Sequence, residues 1–170
     1  MKCVAIGGEP ATGKTTLVKE ILKDQQMQDY KFGLLRGHLI DSLNLLILGV
    51  YNNDTFCGTD KLSMAVNSHF LKFSQITKRN FLFEGDRLFT KNNLEYIKKI
   101  HETKVLILEN DKKTLDNRHL SRKDNQSEIF KKGRKTKILN IKNHISHQLH
   151  TLSNKNDTIL LKKDILKFFN

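Results

Sequence analysis

The feature that most constrains this chain is the segment GGEPATGKTT, residues 7–16. It satisfies the spacing G-x-x-x-x-G-K-[ST], with a short apolar run before it and a helical apolar pattern after it. Gly8 and Gly13 permit backbone conformations closed to other residues, so that amide N–H groups can turn toward a bound anion. A helix beginning near Lys14 adds the positive end of its dipole. The segment therefore predicts a phosphate-binding loop between a buried strand and a helix.

The side chains of this loop have expected partners on a nucleoside triphosphate. Lys14 is expected to reach the β- and γ-phosphates, and the Thr15 hydroxyl is expected to take a place on Mg²⁺. Thr16 is expected to cap the helix or to touch the α-phosphate. The residues predicted to bind the nucleotide are Gly8, Ala11, Thr12, Gly13, Lys14, Thr15 and Thr16, together with Arg118 from the basic region described below. The predicted cofactors are therefore ATP and Mg²⁺.

Apolar runs alternate with helical patterns along the rest of the chain. The patterns predict buried strands at 2–7, 80–86 and 104–109, helices at 14–24, 63–77 and 90–102, and two strands around a turn at 41–42. Such alternation predicts a three-layer α/β fold, with a parallel sheet flanked by helices. A basic helical region is predicted to follow as far as about residue 152, with breaks near 123–126 and at Gly133. Without a linker or repeat, residues 1–170 are expected to form one domain.

Acidic residues follow the second predicted buried strand, at the sheet edge where ligands of parallel sheets bind. The segment FLFEGDRLF places Glu84 and Asp86 after an apolar run, and alternation along a strand would point both side chains to one face. An acid here is expected to hold the water shell of Mg²⁺ or to accept a proton from the phosphate acceptor. Glu84 is the first candidate, because it lies nearest the strand end. The alternative is that one of the two caps the next helix or pairs with Arg87.

The loop FCGTDKLSM, residues 56–64, combines small, polar and charged residues between apolar anchors. One interpretation is a helix N-terminus capped by Thr59 or Asp60. The other is that the loop lines the pocket of the phosphate acceptor, with Asp60 as a candidate base toward a hydroxyl group and Asp41 as a weaker one. Both interpretations remain open at the level of the sequence.

The formal net charge of +12 is concentrated in the last third of the chain. Residues 1–110 hold 15 Lys and Arg against 12 Asp and Glu, whereas residues 111–170 hold 15 against 6. A polyanion such as DNA is the natural partner for this excess. A composition rich in Lys, Asn and Ile would give the same bias without any partner.

Arginines of this region are candidates for a helical lid over the phosphate loop. Arg118 and Arg122 are four residues apart and would share a helix face, and Arg134 follows them. In a lid over residues 112–136, such side chains would stabilise the charge that develops during phosphoryl transfer, whereas the alternative is a solvated basic face. Candidates for contact with a nucleic-acid backbone are Lys131, Lys132, Lys135, Lys137 and Lys142. The spacing of His144, His147 and His150 predicts one helical face, a surface stripe rather than a metal site.

Two further features bear on location. Cys3 and Cys57 are expected to be free thiols in a reducing compartment, which favours a cytoplasmic protein. The longest apolar stretch, residues 43–51, is far shorter than the roughly 20 residues that a membrane-spanning helix needs. The sequence therefore predicts no membrane association.

Four segments together, GEPATGKTT, FCGTDKLSMAV, FLFEGDRLF and SEIFKKGRKTKILNI, resemble a group of small P-loop proteins from bacteriophages. The group is similar to the phage 5-hydroxymethyluridine DNA kinases, which phosphorylate the hydroxymethyl group of a modified base on the way to hypermodified thymidine. The resemblance covers about residues 1–145. It implies a P-loop NTPase fold and the cytoplasm of an infected host cell. It also implies roles for Lys14 and Thr15 at the nucleotide and Mg²⁺, for Asp60, Glu84, Asp86 and Arg87 on the acceptor and metal side, and for Arg122 and Arg134 in the lid.

The function expected from these observations is ATP-dependent phosphotransfer to a hydroxyl group. By the resemblance, the acceptor is the 5-hydroxymethyl group of a modified uracil base in DNA. One alternative is a small-molecule kinase acting on free nucleosides or nucleotides. A second is a DNA-associated module that binds or hydrolyses ATP without a phosphoacceptor.

Overall fold

The computed structural model describes residues 1–52, 57–121 and 127–170. Over these residues the chain forms a seven-stranded sheet in the spatial order β2-β3-β4-β5-β1-β6-β7. The strands are β1 (Lys2–Gly8), β2 (Gln28–Phe32), β3 (Leu35–Ile40), β4 (Leu45–Leu48), β5 (Asn80–Glu84), β6 (Glu102–Glu109) and β7 (Gln148–Thr151). The pairs β4–β5, β5–β1, β1–β6 and β6–β7 are parallel. The pairs β2–β3 and β3–β4, at one edge of the sheet, are antiparallel. The predicted α/β class with a mainly parallel sheet is confirmed.

Helices cover both faces of the sheet. They are α1 (Lys14–Leu22), α2 (Val66–Ile76), α3 (Lys91–Ile100), α4 (Lys112–Ser121), α5 (Glu128–His144) and α6 (Lys155–Phe169). Successive residues of β1 point to opposite faces, as the period of a strand requires. Cys3 therefore packs in the core formed with α2, α3 and α5, whereas Val4 packs in the core formed with α1 and α6. Residues 3–8 of the central strand are consequently removed from water on both faces, which explains why this part of the strand carries no polar side chain.

The central strand β1 lies where the order of connections reverses. Along the chain, β4 is followed by β5, which fills the place between β4 and β1, whereas β6 and β7 are added on the other side of β1. Ligands of open α/β sheets bind at such a switch point, beyond the carboxyl ends of the strands. The loop between β1 and α1 (residues 9–13), which the sequence singled out, begins at this point of the sheet.

The C-terminal third differs from its predicted form. The predicted break at Gly133 is wrong, because α5 runs through this residue without interruption. The prediction of one helical face for the three histidines is also wrong: His144 ends α5, His147 lies in the following loop, and His150 belongs to β7. The parallel pairing of β7 with β6 provides the hydrogen bonds that turn this polar segment into an edge strand. The predicted break near 123–126 lies outside the described residues.

Two further elements were not predicted. β2 forms a hairpin with β3 through a turn at Gly33, and its alternation is short: only Tyr30 and Phe32 turn toward the core, between exposed polar residues. α6 begins at a capping box made by Asn154 and Asp157, and it packs beside α1. The predicted pair of strands around residues 41–42 is confirmed, with β3 and β4 joined by a short 3₁₀ turn.

Gly133 supplies a stability test of the observed helix. It lies inside α5, and a methyl group added there would meet no atom within 4 Å. Gly133→Ala should therefore raise the free energy of unfolding by about 0.5–1 kcal/mol, since glycine loses more backbone freedom in a helix than alanine does. For a chain of this size the melting temperature would rise by about 2–4 °C. Gly37→Ala is the opposing control, because its methyl group would lie 2.5 Å from the Ile47 carbonyl oxygen; a destabilised Gly133→Ala would contradict the uninterrupted helix.

Candidate functional site

The β1–α1 loop is shaped by residues in the left-handed region of backbone conformation. Gly8, Ala11 and Gly13 have φ angles of 142°, 63° and 102°. At Gly8 a side chain would also collide with the neighbouring strand, because a Cβ atom there would lie 2.4 Å from the Leu108 carbonyl oxygen. Both glycines are therefore required by the backbone itself, in agreement with the role predicted for them.

Lys14 folds back over this loop from the first turn of α1. Its ammonium group donates hydrogen bonds to the carbonyl oxygens of Gly8 and Glu9, at 2.9 and 2.8 Å. Thr12 is buried, and its hydroxyl donates to the Glu9 carbonyl at 2.8 Å, whereas Thr16 is exposed on α1. The ammonium charge is thus held at the mouth of the loop, at the N-terminal end of a helix.

Glu84 is the buried carboxylate at the centre of the site. It ends β5, pairs in register with Ile6 of β1, and has 2% of its surface exposed. Its Oε1 atom accepts hydrogen bonds from the Thr15 hydroxyl at 3.0 Å and from the Tyr51 hydroxyl at 3.4 Å. The strand pairing explains this meeting, because parallel strands bring their carboxyl ends to one edge. Thr15 and Glu84, each expected from the sequence to lie at a Mg²⁺ ion, are therefore in contact with each other.

Burial raises the pKa of Glu84 to about 7. The positive charge of Lys14 and the Thr15 hydroxyl oppose the rise, and the negative charge of Asp60 adds to it. Burial together with the Glu84 charge also raises the pKa of Tyr51 well above its ordinary value, so that its hydroxyl keeps its proton and donates. Glu84 is thus a carboxyl group that can gain or lose a proton near neutral pH.

The loop that contains Asp60 lies against the end of β5. Gly58 forms an isolated antiparallel bridge with Val50, and the Thr59 hydroxyl donates to the Glu84 carbonyl oxygen at 2.8 Å. Asp60 Oδ1 accepts the Arg87 backbone N–H at 2.9 Å. Helix α2 begins only at Val66 and has no side-chain cap, so the capping interpretation of Thr59 and Asp60 is wrong.

The pKa of the Asp60 carboxyl is raised chiefly by loss of water around it. The Arg87 backbone N–H opposes this rise, and the negative charge of Asp86 adds to it. Asp60 is therefore coupled electrostatically both to Glu84 and to Asp86, and we call these three carboxyl groups, with Lys14 close by, the acidic cluster.

Asp86 connects the end of β5 to α5. β5 ends at Glu84, and Gly85 turns the chain with a φ angle of 106°, so the strand alternation predicted for the two acids does not extend to Asp86. Its carboxylate lies 2.8 Å from Arg134 Nε and 3.6 Å from Lys137 Nζ. Neither predicted alternative holds, since Thr90 caps the next helix and the cations that pair with Asp86 come from α5.

Arg118 of α4 contacts the other side of the β1–α1 loop. Its guanidinium group donates to the Ala11 carbonyl oxygen at 3.1 Å and to the Leu152 carbonyl oxygen at 2.7 Å. It therefore ties α4 to the loop that the sequence predicted to bind the nucleotide. Arg122 lies outside the described residues. Asp41, the weaker acidic candidate, pairs with Arg79 at 2.9 Å and belongs to the turn between β3 and β4.

The basic residues of α5 divide into two groups. Lys131 pairs with Glu128, Lys137 with Asp86 and Lys142 with Glu109. Lys132 and Lys135 are exposed, and no carboxylate of the described residues pairs with them. Of the five lysines predicted to contact a nucleic acid, these two have their charges most available.

Tyr51 is the site residue that the sequence reasoning missed. It follows β4 by three residues, at the same edge of the sheet as Glu84. The rule that ligands bind beyond the carboxyl ends of parallel strands would have pointed to it, had it been applied to β4 as it was to β5.

Gly58 offers a structural test of the cluster. Its φ angle is 89°, and a Cβ atom there would lie 2.3 Å from Glu84 Oε1. Gly58→Ala should destabilise the fold by about 3 kcal/mol and displace the Glu84 carboxyl from Thr15, because both backbone strain and overpacking act at one position. Thermal unfolding measures this effect, with Gly133→Ala as the control for a glycine that has open space. An unchanged melting temperature would contradict the close contact between Gly58 and Glu84.

A comparison of this sequence with models of known protein families finds no matching family, and a comparison with curated proteins finds no match. Across the described residues, no helix is both long and apolar enough to cross a membrane. In the same part of the chain, no three His, Cys, Asp or Glu side chains are grouped so that they could hold a metal ion. Both cysteines are buried.

Proposed function

We propose that this chain is a P-loop kinase that transfers the γ-phosphoryl group of ATP to a hydroxyl group. The observation that carries the proposal is the contact between the Thr15 hydroxyl and the buried Glu84 carboxylate, beside a glycine loop whose carbonyl oxygens hold the Lys14 ammonium group. Phosphoryl-transfer sites combine the same three parts: a loop with a lysine for phosphates, a hydroxyl for Mg²⁺, and an acid at a neighbouring strand end.

The residues present fit ATP and Mg²⁺. Lys14 would exchange the carbonyl oxygens of Gly8 and Glu9 for phosphate oxygens, which bind an ammonium group more strongly because they are charged. Mg²⁺ in such sites keeps several waters and uses few protein ligands besides the phosphates, so Thr15 and Glu84 would suffice on the protein side. When bound, the ion neutralises charge on the transferred group. Arg118 would border the nucleotide from α4.

Asp60 is the best candidate for the base that accepts the hydroxyl proton. One of its oxygens accepts the Arg87 N–H, and its raised pKa makes it a better proton acceptor than an ordinary aspartate. Asp86 instead orients cations, because Arg134 and Lys137 both lie against its carboxylate. Arg134 is thereby held near the acidic cluster, where it would stabilise charge on the transferred phosphoryl group.

The acceptor is proposed from the sequence resemblance and from charge. The resemblance to 5-hydroxymethyluridine DNA kinases favours a base hydroxymethyl group in DNA. The exposed lysines of α5 support a polyanionic substrate. A kinase of free nucleosides or nucleotides and a DNA-associated ATPase without an acceptor are the two alternatives. The location that accompanies the proposal is the cytoplasm.

One experiment separates the three functions. The protein is incubated with γ-labelled ATP and Mg²⁺, together with plain DNA, with DNA that contains 5-hydroxymethyluracil, or with a panel of nucleosides and nucleotides. Label in the modified DNA alone is the expected result. Label only in free nucleosides or nucleotides would replace DNA by a small-molecule acceptor, and label in none of them would overturn the kinase class.

A further inference from the structure

Ala11 of the β1–α1 loop is held in a conformation that its own side chain disfavours. Its φ angle is 63°, in the left-handed region of backbone conformation. A Cβ atom makes this region less favourable by about 10-fold relative to glycine, which visits it freely. Ala11 is also buried, with 6% of its surface exposed. The surrounding contacts must therefore hold its backbone in place.

Arg118 makes such a contact from α4. Its Nη1 atom donates to the Ala11 carbonyl oxygen at 3.1 Å, and its Nη2 atom donates to the Leu152 carbonyl oxygen at 2.7 Å. Leu152 in turn lies against the end of the loop, since a Cβ atom at Gly13 would be 3.3 Å from the Leu152 Cδ1 atom. The planar fork of the guanidinium group therefore fastens the loop to α4 and to the segment before α6.

The bond to Ala11 also sets the direction of the next amide group. In a planar trans peptide the C=O group and the following N–H group point in opposite directions. Because the Ala11 carbonyl points toward Arg118, the Thr12 N–H points away from it. Backbone N–H groups are what a phosphate loop offers to an anion, so the orientation of this peptide bears directly on phosphate binding.

These contacts favour a role through the loop over direct contact with a nucleotide. The two carbonyl partners of Lys14, Gly8 and Glu9, are neighbours within the loop, whereas Arg118 bridges the loop and a remote segment. If Arg118 exchanged either of its carbonyl partners for a phosphate oxygen, it would release Ala11 or Leu152. Its position therefore suits a support better than a ligand.

We propose that Arg118 is a positioning residue, which holds Ala11 in the left-handed conformation and so keeps the β1–α1 loop shaped for phosphates before a nucleotide binds. The inference rests on the proposed function, because it takes this loop to be the site of the triphosphate. Nucleotide affinity then depends on the docking of α4 as well as on the residues of the loop.

The first test is a double-mutant cycle, with MgADP binding measured by calorimetry. Without Arg118, Ala11 should be left-handed in about a tenth of the molecules, so Arg118→Ala should weaken MgADP binding about 10-fold. In an Ala11→Gly background the same change should weaken binding only about 2-fold, because glycine adopts this conformation unaided in about half of the molecules. Equal losses in the two backgrounds would overturn the proposal and assign Arg118 to direct contact with the nucleotide.

Two further variants support the cycle. Arg118→Lys can serve one of the two carbonyl oxygens at a time, so it should lose less affinity than Arg118→Ala, and this loss too should shrink in the Ala11→Gly background. It keeps the cycle measurable if Arg118→Ala does not fold. Arg79→Ala is the matched control, because Arg79 pairs with Asp41 at the opposite edge of the sheet and its removal should weaken MgADP binding in neither background.

Magnesium pyrophosphate separates the loop from the nucleoside. A loss that acts through the loop should be equal for MgADP and for magnesium pyrophosphate, because both place phosphates in the loop. If Arg118→Ala weakened the binding of MgADP alone, the proposal would be overturned, since Arg118 would then act on the base or the ribose.

The conformation of Ala11 can also be followed without any ligand. The Cα and Cβ chemical shifts of Ala11 in NMR spectra of the ligand-free protein report its backbone conformation, and Arg118→Ala should move them away from left-handed values. Unchanged shifts would contradict the support of Ala11 by Arg118. Because this measurement needs neither a nucleotide nor phosphoryl transfer, the positioning role can fail while the kinase stands, and the reverse is equally observable.

Discussion

Lys14→Ala should lower the rate of phosphoryl transfer by about 10²–10³-fold, the loss typical of removing one preorganised donor from a transition state. The ammonium group lies at the mouth of the β1–α1 loop, where it donates to the Gly8 and Glu9 carbonyl oxygens. In the proposed reaction the same group would bind phosphate oxygens on which negative charge builds up. Transfer of label from γ-labelled ATP to the accepted substrate measures the effect, and calorimetry with MgADP separates binding from chemistry.

Two control variants accompany this measurement. Lys163→Ala removes an exposed lysine of α6 and should transfer label at the wild-type rate. Lys14→Arg keeps the charge but replaces a compact ammonium group by a planar fork, and it should recover only part of the activity. The melting temperature of Lys14→Ala should stay within a few degrees of the wild type, because the side chain is only half-buried. A fully active Lys14→Ala protein would contradict the role of the loop in catalysis.

Glu84→Gln should make the protein more stable at pH 8 while lowering its rate of phosphoryl transfer. The pKa of Glu84 is about 7 in the folded protein, against 4.5 for an ordinary glutamate, so the folded state holds the proton more tightly than the unfolded chain. The stabilisation of the folded state by this tighter proton binding is therefore fully present below about pH 4.5, and it is lost as the pH rises through 7. The loss amounts to about 3 kcal/mol. Glutamine carries no charge and avoids this loss, while its oxygen can still accept from Thr15.

Urea denaturation between pH 4 and pH 8 measures this effect. The wild type and Glu84→Gln should have similar stability near pH 4.5 and should diverge by about 3 kcal/mol at pH 8. Glu95→Gln, an exposed residue in a helix pair with Lys91, should follow the wild type at every pH. Coincident curves for the wild type and Glu84→Gln would contradict the burial of a titrating carboxyl group.

Activity moves in the opposite direction from stability in this variant. A neutral amide cannot hold Mg²⁺ waters or accept a proton as a carboxylate does, so Glu84→Gln should lose about 10²-fold in transfer rate. A buried carboxylate that costs stability is typical of a residue kept for function. A combination of raised stability and lost activity would support the placement of Glu84 in the proposed site more strongly than either result alone.

Much of the fold followed from local patterns. The apolar runs of β1, β5 and β6 are buried on both faces of the sheet, and each run can be recognised from a few neighbouring residues. The predicted histidine face failed for a different reason. Residues 148–151 form a strand because the edge of β6 is open to pairing. The residues of such a segment give no local sign that another strand will pair with them. β2 has only a short local sign, the alternating Tyr30 and Phe32, and its pairing with β3 completes it.

The site divides in a similar way. The nearness of Thr15 to Glu84 could be predicted, because parallel strands bring their carboxyl ends to a common edge and both residues follow such ends closely. The partners of Asp86 could not be predicted, since Arg134 and Lys137 lie about fifty residues further along the chain and reach it through the packing of α5. Tyr51 could have been predicted as well, because it follows the end of β4, which is parallel to β5 and ends at the same edge of the sheet.

The sequence by itself determined the strand–loop–helix unit around GGEPATGKTT, since glycine spacing, an apolar run and a helical pattern are properties of neighbouring residues. It also determined that acids and a basic third would accompany this unit. Only the tertiary structure decided which acid each cation neutralises and which lysines stay available to a partner. Ion pairs and burial depend on distances between segments that are remote along the chain, and those distances are set by how the helices pack on the sheet.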